Sequence, residues 1–171
     1  MKAITGAANT AFVGFFSSHI FATILIDSQA VLPPRWIPGP LRGFLGWYVD
    51  FMKDPLMGNA HNLLWFQCCV GLELVVQLPF FFWACQVLSS SKNVKQYPKR
   101  FAQASIAYAG HACTSMVPIL ATLATNPDAT ATQKAMILSV YLPYLIFPLA
   151  LLYYATKDDD DDEGEHGKKQ A

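Results

Sequence analysis

The chain has 171 residues, 53% hydrophobic and only 14% charged, and its 12 basic and 12 acidic residues cancel. Soluble domains carry about 25% charged residues, so an ordinary soluble fold is disfavoured from the start. No Gly-rich phosphate loop, internal repeat or basic–aromatic stripe occurs, which removes the nucleotide-loop and nucleic-acid-binding classes.

Four stretches nearly free of charge follow one another: Ala11–Ile26, Leu63–Leu88, Phe101–Leu123 and Ala135–Ala155. A bilayer span needs about 20 mostly apolar residues, and each stretch reaches that length once its flanks are counted. A soluble bundle of buried helices would show a polar stripe at helical spacing. "LVVQLPFFFWACQVL" and "ILSVYLPYLIFPLALLYY" show none. The sequence therefore predicts an all-α polytopic membrane protein: a four-transmembrane-helix bundle over residues 1–156, then a disordered acidic tail over 157–171.

The first stretch reads as a span rather than a cleaved leader. Its basic n-region is Lys2 alone, Ser17-Ser18-His19 interrupts its core, and "DSQA" is a poor cleavage site. After it, Pro33, Pro34, Pro38 and Pro40 rule out a regular helix. "LRGFLGWYVDFM" then places apolar residues near helical spacing, and Trp36, Trp47 and Tyr48 suit the membrane–water boundary. A short interfacial helix across the lumenal mouth of the bundle is predicted. Asp54-Pro55 reads as an N-cap followed by proline at the first helical position.

Between the second and third spans, "SSSKNVKQYPKR" holds Lys92, Lys95, Lys99 and Arg100 without an acid. Short basic loops stay cytoplasmic, which puts both termini of a four-span chain in the cytosol. The third link, "ATNPDATATQK", reads as a plain turn. Within the spans stand Pro79, Pro118, Pro143 and Pro148, each releasing the carbonyl four residues earlier. Freed backbone of this kind is tolerated where it faces protein or a cavity, which favours a central pocket.

Cys68, Cys69, Cys85 and Cys113 all lie inside spans, without zinc or redox spacing, and read as small buried hydrophobes. His19, His61 and His111 show no metal-ligand pattern, so neither a metal nor a cofactor is expected. His19 and His111 read as satisfied interior histidines, His61 as an interfacial one. His111 and Thr114 together suit hydrogen bonding between helices.

Two acids, Asp27 and Glu73, stand near the interior of spans, where charge is costly and tends to mark a functional site. Counting from the cytosolic ends places them at roughly 24 Å and 22 Å, close enough in depth to meet. Thr114, Tyr141 and Tyr144 fall within about two turns of that level. Two carboxylates in a low-dielectric site share a proton rather than both ionise. That leaves one negative charge in an aromatic pocket, suited to a cationic amphiphile or to a sterol hydroxyl. The competing reading is that Asp27 merely ends its helix and Glu73 pairs with a histidine or the backbone.

The tail, "KDDDDDEGEHGKKQA", is a solvated charge run. Its Lys168 and Lys169 resemble a dilysine retrieval signal of endoplasmic reticulum membrane proteins, an address rather than an anchor.

Five ordered segments, "ILIDSQAVLP", "WYVDFMKDPL", "LELVVQLPFFFWA", "HACTSMVPIL" and "SVYLPYLIFPLALL", resemble the EXPERA family in its receptor rather than its isomerase branch. The resemblance runs from about Ala11 to Tyr154. It implies a four-helix endoplasmic reticulum protein binding sterols and cationic amphiphiles. It further implies membrane-lipid contacts, homodimers and a link to cholesterol trafficking through a Niemann–Pick C1-type transporter. Carried over by position, Asp27 would pair with a ligand amine, Glu73 would share its proton, and Thr114, Tyr141 and Tyr144 would line the pocket. Asp54 would be ligand-linked or structural. The short third loop and polyaspartate tail depart from the family pattern.

The main functional expectation is a non-enzymatic binding protein acting in sterol homeostasis and trafficking. The alternative is a sterol double-bond isomerase, for which Asp27, Glu73 and His111 supply acid–base candidates. The isomerase branch's own His, Glu and Trp arrangement is not seen.

Overall fold

The computed structural model describes the backbone of residues 1–90 and 96–168 and the side chains of these residues up to Lys157. Four helical segments are long and apolar enough to cross a membrane: Gly6–Ala30, Leu64–Ser89, Lys99–Thr125 and Ala131–Lys157. All four predicted spans are present; the first, third and fourth are longer than their charge-free stretches, and the second is shifted by one residue at the same length. The side chains of the acidic run and of Lys168, and all of Lys169, Lys92 and Lys95, lie outside what is described.

The first span is α1 (Gly6–Leu25) continued by a 3₁₀ turn, Asp27–Ala30. The carbonyls left at its end are taken up by side chains. Ser28 Oγ donates to the Ile24 carbonyl, Gln29 Nε2 to that of Leu25, and Gln67 Nε2 from the second span to that of Ala30.

Next comes α2 (Gly39–Met52), started by prolines and bearing an outer row of Phe44, Trp47 and Phe51, with Trp47 stacked on Phe51 at 5.5 Å. This is the predicted interfacial helix. It ends at Lys53, whose φ of 54° is left-handed and whose N–H returns to the Val49 carbonyl. Asn126 Nδ2 donates to the Lys53 carbonyl at 2.7 Å, and Gln133 Nε2 to that of Phe51 at 3.1 Å. The third link is thus more than a plain turn, because it holds the C-terminus of α2 onto the bundle.

Asp54 caps α3 (Pro55–Gly58) as expected, accepting from the Leu56 and Met57 N–H groups at 2.9 and 3.0 Å. The second span is α4 (Leu64–Leu72), a π-turn over Glu73–Gln77 immediately before Pro79, and α5 (Leu78–Ser89). The third span is the unbroken α6 (Lys99–Thr125), Pro118 included. The fourth is α7 (Ala131–Tyr141), opened by a Thr130–Gln133 capping box, then a break before Pro143 and α8 (Pro143–Lys168).

α1 packs along α5 and α6 along α8, giving a bundle with two core clusters. The half that holds the chain's N-terminus is filled by rings: Phe12, Phe15, Phe16, Phe80, Phe81, Phe101 and Tyr108. Phe15 stacks on Phe147 at 4.4 Å and Phe80 on Tyr108 at 4.7 Å. The other half, under α2 and α3, is built from Phe66, Val70, Met116, Ile119, Leu123 and Ile137.

Candidate functional site

Between these two clusters lies a cavity of ≈ 260 Å³ that draws on every span and on α2. Span one supplies His19, Ala22, Ile26 and Asp27; span two supplies Phe66, Cys69, Val70, Glu73 and Gln77. Ala112, Ser115, Met116 and Ile119 come from α6, and Val140, Tyr141 and Tyr144 from span four. Phe44 and Tyr48 of α2 close it. Most of this wall is apolar or aromatic, with a few convergent polar groups, as in small-molecule sites.

The polar groups come from two facing stripes. His19, Thr23 and Asp27 are spaced by four along the first span, so they share one face. Cys69, Glu73 and Gln77 do the same on the second. The π-turn lies in the middle of that second stripe, where irregular helix geometry often accompanies function.

Glu73 is the acid with side-chain partners inside the cavity. Its Oε1 accepts from Thr23 Oγ1 at 2.5 Å and lies 3.2 Å from His19 Nε2. His19 is buried, stacked on Phe81 at 4.3 Å and flanked by Tyr144 at 4.5 Å, and its Nδ1 is buried with no hydrogen-bond partner among the described residues. Gln77 Nε2 reaches His111 Nδ1 at 3.0 Å, so His111 makes the contact between helices expected of it.

Asp27 differs. Its carboxylate lines the same cavity, half-buried, and makes no hydrogen bond or ion pair among the described residues. The two acids face one cavity without a hydrogen bond between them. Glu73's short contacts go instead to His19 and Thr23, which is the pairing the competing sequence reading allowed.

Asp54 sits behind the wall rather than in it. It is 2% exposed, and its Oδ2 accepts from Tyr141 Oη at 2.8 Å while Oδ1 caps α3. Burial pushes the Asp54 carboxyl above the ordinary carboxylate range, against the downward pull of its N–H and phenol donors. Burial, and then the Asp54 charge, likewise push the Tyr48 phenol above its ordinary value.

Of the residues expected on the pocket wall, Tyr141 and Tyr144 are there. Thr114 is not. It is exposed on the outer face of α6, its hydroxyl returned to the Gly110 carbonyl at 2.8 Å. Its depth agrees, but Ala112, Ser115, Met116 and Ile119 carry the inward face, and Thr114 lies outside that arc. His61 is exposed in the turn before α4, consistent with an interfacial place. The four cysteines are free thiols, but they are not the small buried hydrophobes expected: Cys68 is exposed and Cys69, Cys85 and Cys113 are half-buried, since Cys69 borders the cavity and the others fall on or beside the outward faces of their helices. Sequence reasoning passed over Thr23 and Gln77, although the four-residue spacing of the two stripes was there to be read, and it gave Tyr48 to the membrane–water boundary rather than to the cavity wall.

The profile of the family described as EXPERA (EXPanded EBP superfamily) matches residues 40–155. Sigma intracellular receptor 2 of Homo sapiens is 33% identical over 151 residues, covering 82% of each chain. The protein of that name from Xenopus tropicalis is 35% identical over 149 residues, covering 82% of this chain and 83% of the relative. Efficient mitochondria targeting-associated protein 19 of Saccharomyces cerevisiae is 29% identical over 160 residues, covering 83% and 93%.

Proposed function

The chain belongs to the EXPERA family, and from that premise we propose that it is an endoplasmic reticulum membrane protein that binds cationic amphiphiles and sterols between its spans. One observation carries this reading: the Asp27 carboxylate stands in an apolar, aromatic cavity with no hydrogen-bond or ion-pair partner among the described residues. A charge desolvated in this way is costly unless a counter-charge arrives. An amine on a hydrophobic tail supplies both the charge and the apolar filling. A sterol hydroxyl meets the same carboxylate as a hydrogen-bond donor.

The role is binding rather than turnover, in sterol homeostasis and trafficking. Relatives named as receptors support it. The basic second link supports cytosolic termini for a four-span chain, and the family resemblance supports an endoplasmic reticulum address. The family resemblance supports a homodimer that passes sterol to a Niemann–Pick C1-type transporter.

The test uses purified full-length protein in lipid nanodiscs, with calorimetric titration of N,N-dimethyldodecylamine and of uncharged dodecanol. Binding of the amine at least about tenfold tighter than the alcohol is expected for one buried counter-charge. Equal affinity defeats the reading. Incubation with a Δ8-sterol is expected to leave its double bond in place, and migration with turnover would establish the isomerase alternative instead.

A further inference from the structure

Two charges on α2 stand against its helix dipole. Arg42 is the fourth residue of α2 and Asp50 the third from its end, whereas a helix favours anions at its N-terminus and cations at its C-terminus. Neither side chain makes a hydrogen bond or ion pair among the described residues, so no described protein group offsets the arrangement. Both line a second cavity, of ≈ 320 Å³. Arg42, Leu45, Val49 and Asp50 share the face of α2 that borders it, while Phe44 and Tyr48 on the other side close the Asp27 cavity. Met57 lines both. Pro34 and Ile37, after the first span, and His61, before the second, form further walls. The cavity therefore belongs to the segment joining these spans, where the exposed Trp36 and Trp47 suit the membrane–water boundary.

A ligand here meets a cation and an anion along one apolar trough, their Cα atoms about 12 Å apart at the helical rise. A phosphate beside Arg42 meets a guanidinium that pairs with two of its oxygens, and the positive end of α2 as well. An ammonium beside Asp50 meets a carboxylate and the negative end. No Phe, Tyr or Trp lines this cavity among the described residues, so it lacks the aromatic faces that hold a quaternary ammonium. A primary ammonium, with three N–H groups to donate to a carboxylate, suits it instead. Pro34, Ile37, Leu45 and Val49 offer apolar surface to glycerol and the first acyl carbons.

We propose that this second cavity is a phospholipid headgroup site that takes phosphatidylethanolamine from the adjoining leaflet, with its phosphate on Arg42 and its amine on Asp50. The bound zwitterion gives each charged side chain a partner and restores the charge order that the dipole of α2 favours. The site is separate from the Asp27 cavity and goes beyond the ligands proposed for it.

Native mass spectra of the full-length protein in dodecyl maltoside, titrated with palmitoyl-oleoyl phosphatidylethanolamine, phosphatidylcholine and phosphatidylglycerol, test it. One phosphatidylethanolamine is expected to bind about fivefold tighter than either other lipid, the scale of an exposed charge pair. Asp50→Asn should weaken phosphatidylethanolamine about fivefold and turn the preference to phosphatidylglycerol, whose phosphate still meets Arg42. Arg42→Gln should weaken both of these lipids to a similar degree. Both side chains are exposed and support no other, so both variants fold. N,N-dimethyldodecylamine affinity should stay within about twofold in each, because Asp27 is untouched. A parallel loss of amine binding would put the lipid in the Asp27 cavity and overturn the assignment. Wild-type protein that binds either other lipid at least as tightly, or phosphatidylethanolamine binding that survives both substitutions, defeats the proposal. Displacement of the lipid by free O-phosphoethanolamine at equal concentration would show that the apolar wall takes no part, and would overturn the lipid as occupant.

Discussion

The two halves of the bundle are made from the same four spans and do opposite things. In the half with the N-terminus, rings interlock from all four spans, with Phe15 on Phe147, Phe16 on Phe81 and Phe80 on Tyr108. In the half under α2, the facing positions of the first two spans turn polar and a cavity remains, walled on the α6 side by Ser115, Met116 and Ile119. Lipid gives no hydrophobic drive for helices to associate, so their packing must hold them together. The closed half therefore acts as the clamp that lets the open half stay hollow. His19 sits at the boundary, stacked on the last ring of one half and bonded to the first acid of the other.

The largest effect that separates the halves is expected at Asp27. Asp27→Asn keeps the shape and removes the charge, and should weaken N,N-dimethyldodecylamine binding about 100-fold, in line with the loss of a desolvated charge partner. The unfolding midpoint in detergent should hardly move, because Asp27 supports no other side chain among the described residues. In the closed half the pattern reverses. Phe16→Ala, at a fully buried ring, should cost about 3–5 kcal/mol of stability and leave amine affinity of the folded fraction unchanged. A Phe16→Ala protein that folds normally but loses the amine would erase the division between clamp and site.

The corner behind the cavity comes next. Tyr141→Phe removes the donor to Asp54 Oδ2 and should cost about 1–2 kcal/mol. It should also change the response to pH. Burial already holds the folded Asp54 carboxyl above its free value. The stability this group contributes is therefore full below the ordinary carboxylate value and declines as pH rises through the folded one. The Tyr141 phenol pulls that folded value down, so its removal should extend the decline to higher pH. Unfolding midpoints measured from pH 4 to 8 would show it, and parallel curves for both proteins would count against the assignment.

The clamp and the cavity were not equally legible in the sequence. Spans, interfacial helix and Asp54 cap follow from composition and near-neighbour rules, which act along one segment at a time. Depth too is a property of one segment, and the four residues it groups, Asp27, Glu73, Tyr141 and Tyr144, line one cavity. Rotation about each axis is not. Thr114 has the right height and the wrong face, because α6 turns Met116 and Ala112 inward. Glu73's choice of His19 and Thr23 depends on how the π-turn rotates the second span against the first, and no local rule before Pro79 specifies that turn. The third link shows the same limit: Asn126 looks like turn chemistry until the Lys53 carbonyl arrives from far along the chain.

The smallest expected effect tests whether the roof of the cavity is rigid. A Cβ added at Gly58 would stand 2.8 Å from Val49 Cγ1, a branched side chain on α2 with little freedom to turn away. Gly58→Ala should therefore push α2 outward by a few tenths of an ångström and cost about 1 kcal/mol. Val49 shares α2 with Tyr48 and Phe44, the two residues closing the cavity. If α2 moves as one body, amine affinity should fall about two- to threefold with stability, and Val49→Ala in the same chain should restore both by vacating the space. If Val49→Ala restores stability but not affinity, the roof bends locally and the cavity is set by the spans alone. The size of the fall matters less than whether the two readouts recover together, since only a rigid α2 ties a contact on its inner edge to a ligand beneath its other face.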